Sequence, residues 1–123
     1  MKRIVIWSGT CVLGLALLAY AAGEKLEVFE GEVSDTPCAM NVHSLTRSHR
    51  EMLKNKAHGT TPADCVRYCV RYEGGHFVLY SKNKLYRLDN EDTVLDFPAQ
   101  KVRITGTYDK DRNTIHVLKV EPL

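Results

Sequence analysis

The chain has 123 residues, with 17 Lys+Arg against 15 Asp+Glu and 44% hydrophobic residues. That length holds one domain with a real core. The near-balanced charge argues against the basic nucleic-acid binders, whose phosphate contacts usually come with a clear excess of Lys and Arg.

Residues 1–21 have the anatomy of a secretory signal peptide. "MKR" is a positive start, an apolar run follows, and Ala19-Tyr20-Ala21 places small residues where a signal peptidase reads. A retained membrane anchor is the alternative. Ser8, Gly9 and Thr10 interrupt the run, acidic sequence follows at once, and the segment is short for a span of about 20 residues. Cys11 lacks the Leu and small-residue run of a lipoprotein site. Cleavage removes Lys2 and Arg3, so Lys+Arg falls from 17 to 15 against 15 acidic residues and the net charge becomes zero. The expected location is periplasmic or secreted, and an uncleaved leader is the only expected membrane contact.

Residues 22–123 then form a single domain. "KLEVFEGEVSD" (25–35) reads as a strand with Phe29, Gly31 and Val33 on one face. Asp35 before "TPC" is a turn residue or an outer partner of a ligand. Pro37 ends the strand. A helical insertion occupies about 38–75. In "SHREMLKNKAHG", Ser48 and Glu51 read as a capping box, and Gly59 reads as the terminator of a surface helix with a thin apolar face. The basic residues Arg47, Arg50, Lys54, Lys56, Arg67 and Arg71 read as a solvated surface, with an anion-binding patch as the alternative. "TPADCVRYCVRYEGG" is the stronger helix. Thr61 caps, Pro62 takes the first position, Asp64 completes the box, and Gly74-Gly75 ends it. Cys65, Val66, Cys69 and Val70 make one inward stripe.

Four strands follow. "HFVLY" (76–80) and "KLYRL" (84–88) flank a hairpin turn, and "NEDTVLDFPAQ" has room for a helical turn. "KVRITGTYD" (101–109) and "TIHVLKVEP" (114–122) flank a second turn. Five strands, the first separated from the rest, predict a mainly β (α+β) fold, a small closed or partly open barrel, closure removing exposed edges.

These stretches carry a resemblance. "FEGEVSDTPCA", "CVRYCV", "HFVLY…KLYRLDN" and "KVRITGTYD…TIHVLKVEP" resemble a family of small secreted bacterial proteins of unknown function, over roughly Val28 to Glu121. The C-terminal part also resembles periplasmic proteins of the oligonucleotide/oligosaccharide-binding (OB) fold. The resemblance implies a five-stranded OB-like barrel with the helices inserted after strand one. It implies no activity.

Processing leaves Cys38, Cys65 and Cys69, an odd number for an oxidising compartment. Cys65 and Cys69 on one helix have Cβ atoms about 5–6 Å apart, beyond the ~3.5–4.5 Å of a disulfide. A bridge from Cys38 to either would close a loop of about 27 or 31 residues, worth ~3–4 kcal/mol, and leave one thiol. The alternative is a Cys3His site for zinc or copper on Cys38, His43, Cys65 and Cys69, with His49 or His58 as substitutes for His43 and Met40 as an extra copper ligand. An envelope thiol-redox protein is the third reading, though the C-x-x-C motif is missing.

Tyr80, Tyr86 and Tyr108 lie on strands and are candidate ligand-face aromatics, with core packing as the competing role. His76 and His116 are expected to face solvent. No triad, phosphate loop or paired carboxylate site stands out. The sequence therefore points to a non-enzymatic binding or structural module organised by its cysteines. Its partner would be an envelope ligand or protein.

Overall fold

A computed structural model of the chain describes residues 24–40 and 45–123. The leader (1–21), Cys11 and His43 lie outside the described residues. The strands are β1 (Glu27–Asp35), β2 (Phe77–Ser81), β3 (Lys84–Leu88), β4 (Lys101–Asp109) and β5 (Thr114–Pro122). Between β1 and β2 lie α1 (Thr36–Ala39), α2 (Leu45–Met52), a 3₁₀ turn at Lys56–His58, and α3 (Pro62–Tyr72). A second 3₁₀ turn, Glu91–Val94, occupies the link between β3 and β4. The fold is α+β and mainly strand. The last three strands have the expected bounds, β1 starts two residues later than expected, and the helical zone begins at Thr36.

The sheet is mixed and closes into a ring in the order β1-β2-β3-β5-β4. β1 serves two antiparallel neighbours: Glu27–Glu32 pairs with β4, and Glu32–Asp35 pairs with β2. A parallel contact between β3 and β5, at Arg87↔Thr114 and Leu88↔Ile115, joins the two hairpins. Gly31 sits where β1 passes from one neighbour to the other. A Cβ there would lie 2.5 Å from the Tyr80 carbonyl oxygen and 3.1 Å from Leu79 Cδ1. A side chain would push the strands apart, so the crossing requires glycine. Gly106 lies at a register shift between β4 and β5, where a Cβ would strike the His116 carbonyl.

Alternation fills the ring. Val102 and Ile104 of β4, Ile115 of β5, Leu79 of β2 and Val33 of β1 are fully buried, and Val66 of α3 docks on the same cluster. A second cluster joins Cys38, Ala39, Leu45, Cys65, Cys69 and Val78. The inward stripe of α3 therefore serves two cores: Val66 and Val70 face the ring, while Cys65 and Cys69 face α1 and α2.

α3 has the expected caps. Thr61 Oγ1 accepts the Asp64 amide at 3.2 Å, and Asp64 Oδ2 accepts the Thr61 amide at 2.9 Å. At its end, the amides of Glu73 and Gly75 both reach the Cys69 carbonyl, at 3.1 and 3.0 Å. α2 corrects the sequence reading. Ser48 is not a cap but an interior residue, and Glu51 pairs with Arg47 Nε at 3.0 Å. Within α2, Leu45, Ser48, His49 and Met52 fall at i, i+3, i+4 and i+7, and this face turns inward.

Candidate metal centre

Asp35 ends β1 and caps α1. Its Oδ1 accepts the Cys38 amide at 2.9 Å. The Thr36 amide donates to the His76 carbonyl at 3.0 Å, and the His76 amide donates to Thr36 Oγ1 at 3.1 Å. These bonds tie α1 to the entrance of β2 and fix where Cys38 points. α3, packed alongside, presents Cys65 and Cys69 one turn apart.

The three thiols meet. Their sulfurs all lie within 4.8 Å of one another, and Cys38 Sγ is 3.8 Å from Cys65 Sγ. All three are buried and free. A disulfide needs about 2.05 Å, so no bridge is formed. Zinc–thiolate bonds of about 2.3 Å at tetrahedral angles set sulfurs about 3.8 Å apart. The Cys38–Cys65 separation has that edge length.

Cys38 also belongs to a second group. Asp35, Cys38 and His49 each offer a ligand atom within 4.8 Å of the other two. His49 is 3% exposed and Asp35 0%. His49 Nε2 stands 4.0 Å from Asp35 Oδ2, too far for a hydrogen bond, and among the described residues neither atom has another partner at full hydrogen-bond geometry, the Cys69 thiol making only a weak side-chain contact with Asp35. Buried polar atoms are nearly always satisfied in native structures, at a cost of about 1–3 kcal/mol for each that is not. Two such orphans beside three thiols make a grouping that could hold a cation.

Burial pushes the Cys38 thiol up, with the Asp35 charge adding to it. The Cys69 thiol is pushed up to about 12, by burial first and by Asp35 second. Cys65 is also raised by burial, and a thiol contact from Cys38 works against it. Burial lowers His49, with Asp35 opposing. The thiols are thus neutral without a cation, the reverse of the depressed thiols used in redox chemistry.

Cys38, Cys65 and Cys69 come together. The histidine beside them among the described residues is His49, while His58 joins neither group. Met40 is 73% exposed and turned out of the cluster. Tyr80 packs against the thiol cluster, and its hydroxyl donates to Asn83 Oδ1 at 3.1 Å. Tyr86 and Tyr108 pack instead with Phe29, with centroids 5.4–5.7 Å apart. His76 and His116 are exposed and paired, with Glu91 at 2.9 Å and with Asp89 at 2.6 Å. Sequence reasoning ranked His49 behind His43. The signal that favours His49 is its place on the inward face of α2.

A family model described as "Protein of unknown function (DUF5818)" matches residues 69–123, from Cys69 through β5. The matched stretch excludes β1, Cys38 and Cys65. No curated protein and no solved structure matches the chain.

Proposed function

We propose that the chain is a non-enzymatic binding or structural module of the cell envelope, in which one zinc ion pins a helical insertion to an OB-like ring. The ring order, with β1 shared by β2 and β4 and a parallel β3–β5 contact, supports the OB-like reading. The leader-like residues 1–21 support an envelope location. The observation that carries the metal reading is the meeting of three buried thiols beside the orphaned atoms of Asp35 and His49.

Cys38, Cys65 and Cys69 would supply three thiolates, and His49 Nε2 or Asp35 Oδ2 the fourth ligand. An imidazole or carboxylate donor favours zinc over Cu(I), which prefers soft ligands, and Met40 offers no thioether here. Burial makes the site closed and structural, with no open position for a substrate. An odd number of thiols in an oxidising compartment is also accounted for, because a bound ion protects all three. The 3.8 Å contact supports one competing reading, a Cys38–Cys65 bridge formed by a small sulfur movement, with Cys69 left over.

Native mass spectrometry with elemental analysis separates the two. The proposal expects one zinc per chain, lost in Cys69→Ser. A chain two hydrogens lighter with one alkylatable thiol establishes the bridge. A chain that melts at the same temperature with and without added zinc rules the metal out.

A further inference from the structure

We propose that the cleft between α3 and the Lys56–His58 turn binds a small aromatic monocarboxylate. The pocket holds about 490 Å³, and its lining includes His58, Arg67, Tyr68, Arg71, Tyr72 and Leu95. None of the three cysteines, Asp35 or His49 lines it, so this site is independent of the metal centre.

His58 is the first observation. It is 6% exposed, yet neither ring nitrogen has a hydrogen-bond partner. The nearest carboxylate, Glu73 Oε1, stands 4.0 Å from Nε2, beyond bonding distance. A buried imidazole in a cavity wall with both nitrogens idle calls for an outside partner.

The ring stack is the second. His58 packs on Tyr68 with centroids 4.4 Å apart, and Tyr68 packs on Tyr72 at 4.9 Å. The stack runs from the buried imidazole to Tyr72, which is 65% exposed. Leu95, 49% exposed, lines the same pocket, as do Val70 and Phe77. These surfaces suit a flat apolar body.

Charge is the third. Arg67 and Arg71 line the pocket, and neither forms an ion pair with a carboxylate among the described residues. The Arg71 guanidinium lies 6.0 Å from the centroid of the Tyr72 ring. Asp64, also in the lining, is occupied, since its Oδ2 accepts the amides of Thr60 and Thr61 at 3.1 and 2.9 Å. The Arg67 charge acts on Asp64, so Arg71 is the cation available for an anion on the ligand. A planar ring on Tyr72 and Leu95, with one carboxylate taking Arg71 and an N–H from His58, uses all three features.

Benzoate is the probe, with benzyl alcohol (ring without charge) and acetate (charge without ring) as controls. Calorimetry on the purified chain should show one saturable benzoate site, at least about tenfold tighter than either control. The His58 ring nitrogens should shift during an NMR titration. Arg71→Met and His58→Gln should each weaken binding by roughly tenfold. Arg71 and Tyr72 are exposed, so Arg71→Met and Tyr72→Ala should keep the native circular dichroism and decide the matter if His58→Gln fails to fold. Absence of saturable benzoate binding, equal affinity for benzoate and benzyl alcohol, or unchanged affinity in both Arg71→Met and Tyr72→Ala would overturn the proposal.

Discussion

Cys38 and Cys65 stand 27 positions apart in the chain, yet their sulfurs are 3.8 Å apart in the interior. One belongs to the four-residue helix that Asp35 starts, and the other to the first turns of α3. Their contact joins the end of β1 to the helix that leads into β2. Packing of these two thiols with Cys69, Leu45 and Val78 holds the insertion to the ring.

The ion-free protein should lose stability in alkali. Folding raises the Cys69 thiol from 9.0 to about 12 and raises Cys38 and Cys65 as well. Above pH 9 the unfolded chain releases protons that the folded chain keeps, so stability falls as pH rises from about 9 toward 12. The slope reaches about 1.4 kcal/mol per pH unit for each thiol in that window. Thermal melts of chelator-treated protein between pH 8 and 11 check this. Zinc should abolish the slope, because bound thiolates have already lost their protons. A chelated protein with a flat alkaline limb would contradict the neutral-thiol description.

The acid side should carry a His49 signature. Burial lowers the His49 imidazole from 6.5, so protonation is disfavoured in the folded state. Its contribution is intact above pH 6.5 and is lost as pH falls through the lowered folded value. His49→Gln keeps a polar side chain but cannot protonate. The variant should show a flatter Tm profile below pH 6.5 than the parent. If His49 is the fourth ligand, the variant should also bind zinc at least roughly tenfold more weakly, since losing a direct ligand costs no less than losing an outer-shell partner.

The contrast between α3 and α2 shows what was legible. Thr61, Pro62 and Asp64 act within four residues of one another, so the start of α3 could be read directly. The two-residue period of β4 and β5 gave their bounds for the same reason. The inward direction of Cys65 and Cys69 also followed from local spacing. α2 was misread because its inward face is built from Ser48 and His49, polar residues whose burial depends on the thiols and Asp35 across the cluster. Nothing near His49 in sequence announces that neighbour. The pairing of β3 with β5 was hidden too, since only two residue pairs carry it across a connection that includes all of β4.

Gly31 should be the least replaceable residue of β1. A methyl group there would meet the Tyr80 carbonyl oxygen at 2.5 Å, and that atom is backbone held in the β1–β2 ladder. Relief requires the two strands to separate where the ring closes. Gly31→Ala should cost about 3 kcal/mol, at the upper end for overpacking. Gly74→Ala is a useful comparison: nothing lies within 4 Å of its added Cβ, so its cost comes only from the positive φ of 67°. That cost should be about 1 kcal/mol. Urea denaturation of the two variants measures the difference. Equal losses would mean that the crossing of β1 tolerates a side chain.

Asp35 combines two roles that substitution can separate. Its Oδ1 caps α1 through the Cys38 amide, and its charge raises the buried thiols. Asparagine keeps the cap and removes the charge, whereas alanine removes both. In the ion-free protein, Asp35→Asn should bring the Cys69 thiol down from about 12 toward its ordinary 9.0, although burial, the larger cause, remains. Alkylation rates measured against pH would show thiolate forming earlier than in the parent. Asp35→Ala should show the same titration change and lose a further ~1 kcal/mol of stability for the missing cap. Zinc supplies a second contrast. If Oδ2 is the fourth ligand, both variants bind zinc more weakly and His49→Gln does not. If His49 Nε2 is the ligand, His49→Gln shows the larger loss and Asp35→Asn a smaller one, from the missing charge beside the thiolates. Unchanged alkylation profiles in both Asp35 variants would show that the carboxylate does not act on the thiols at all.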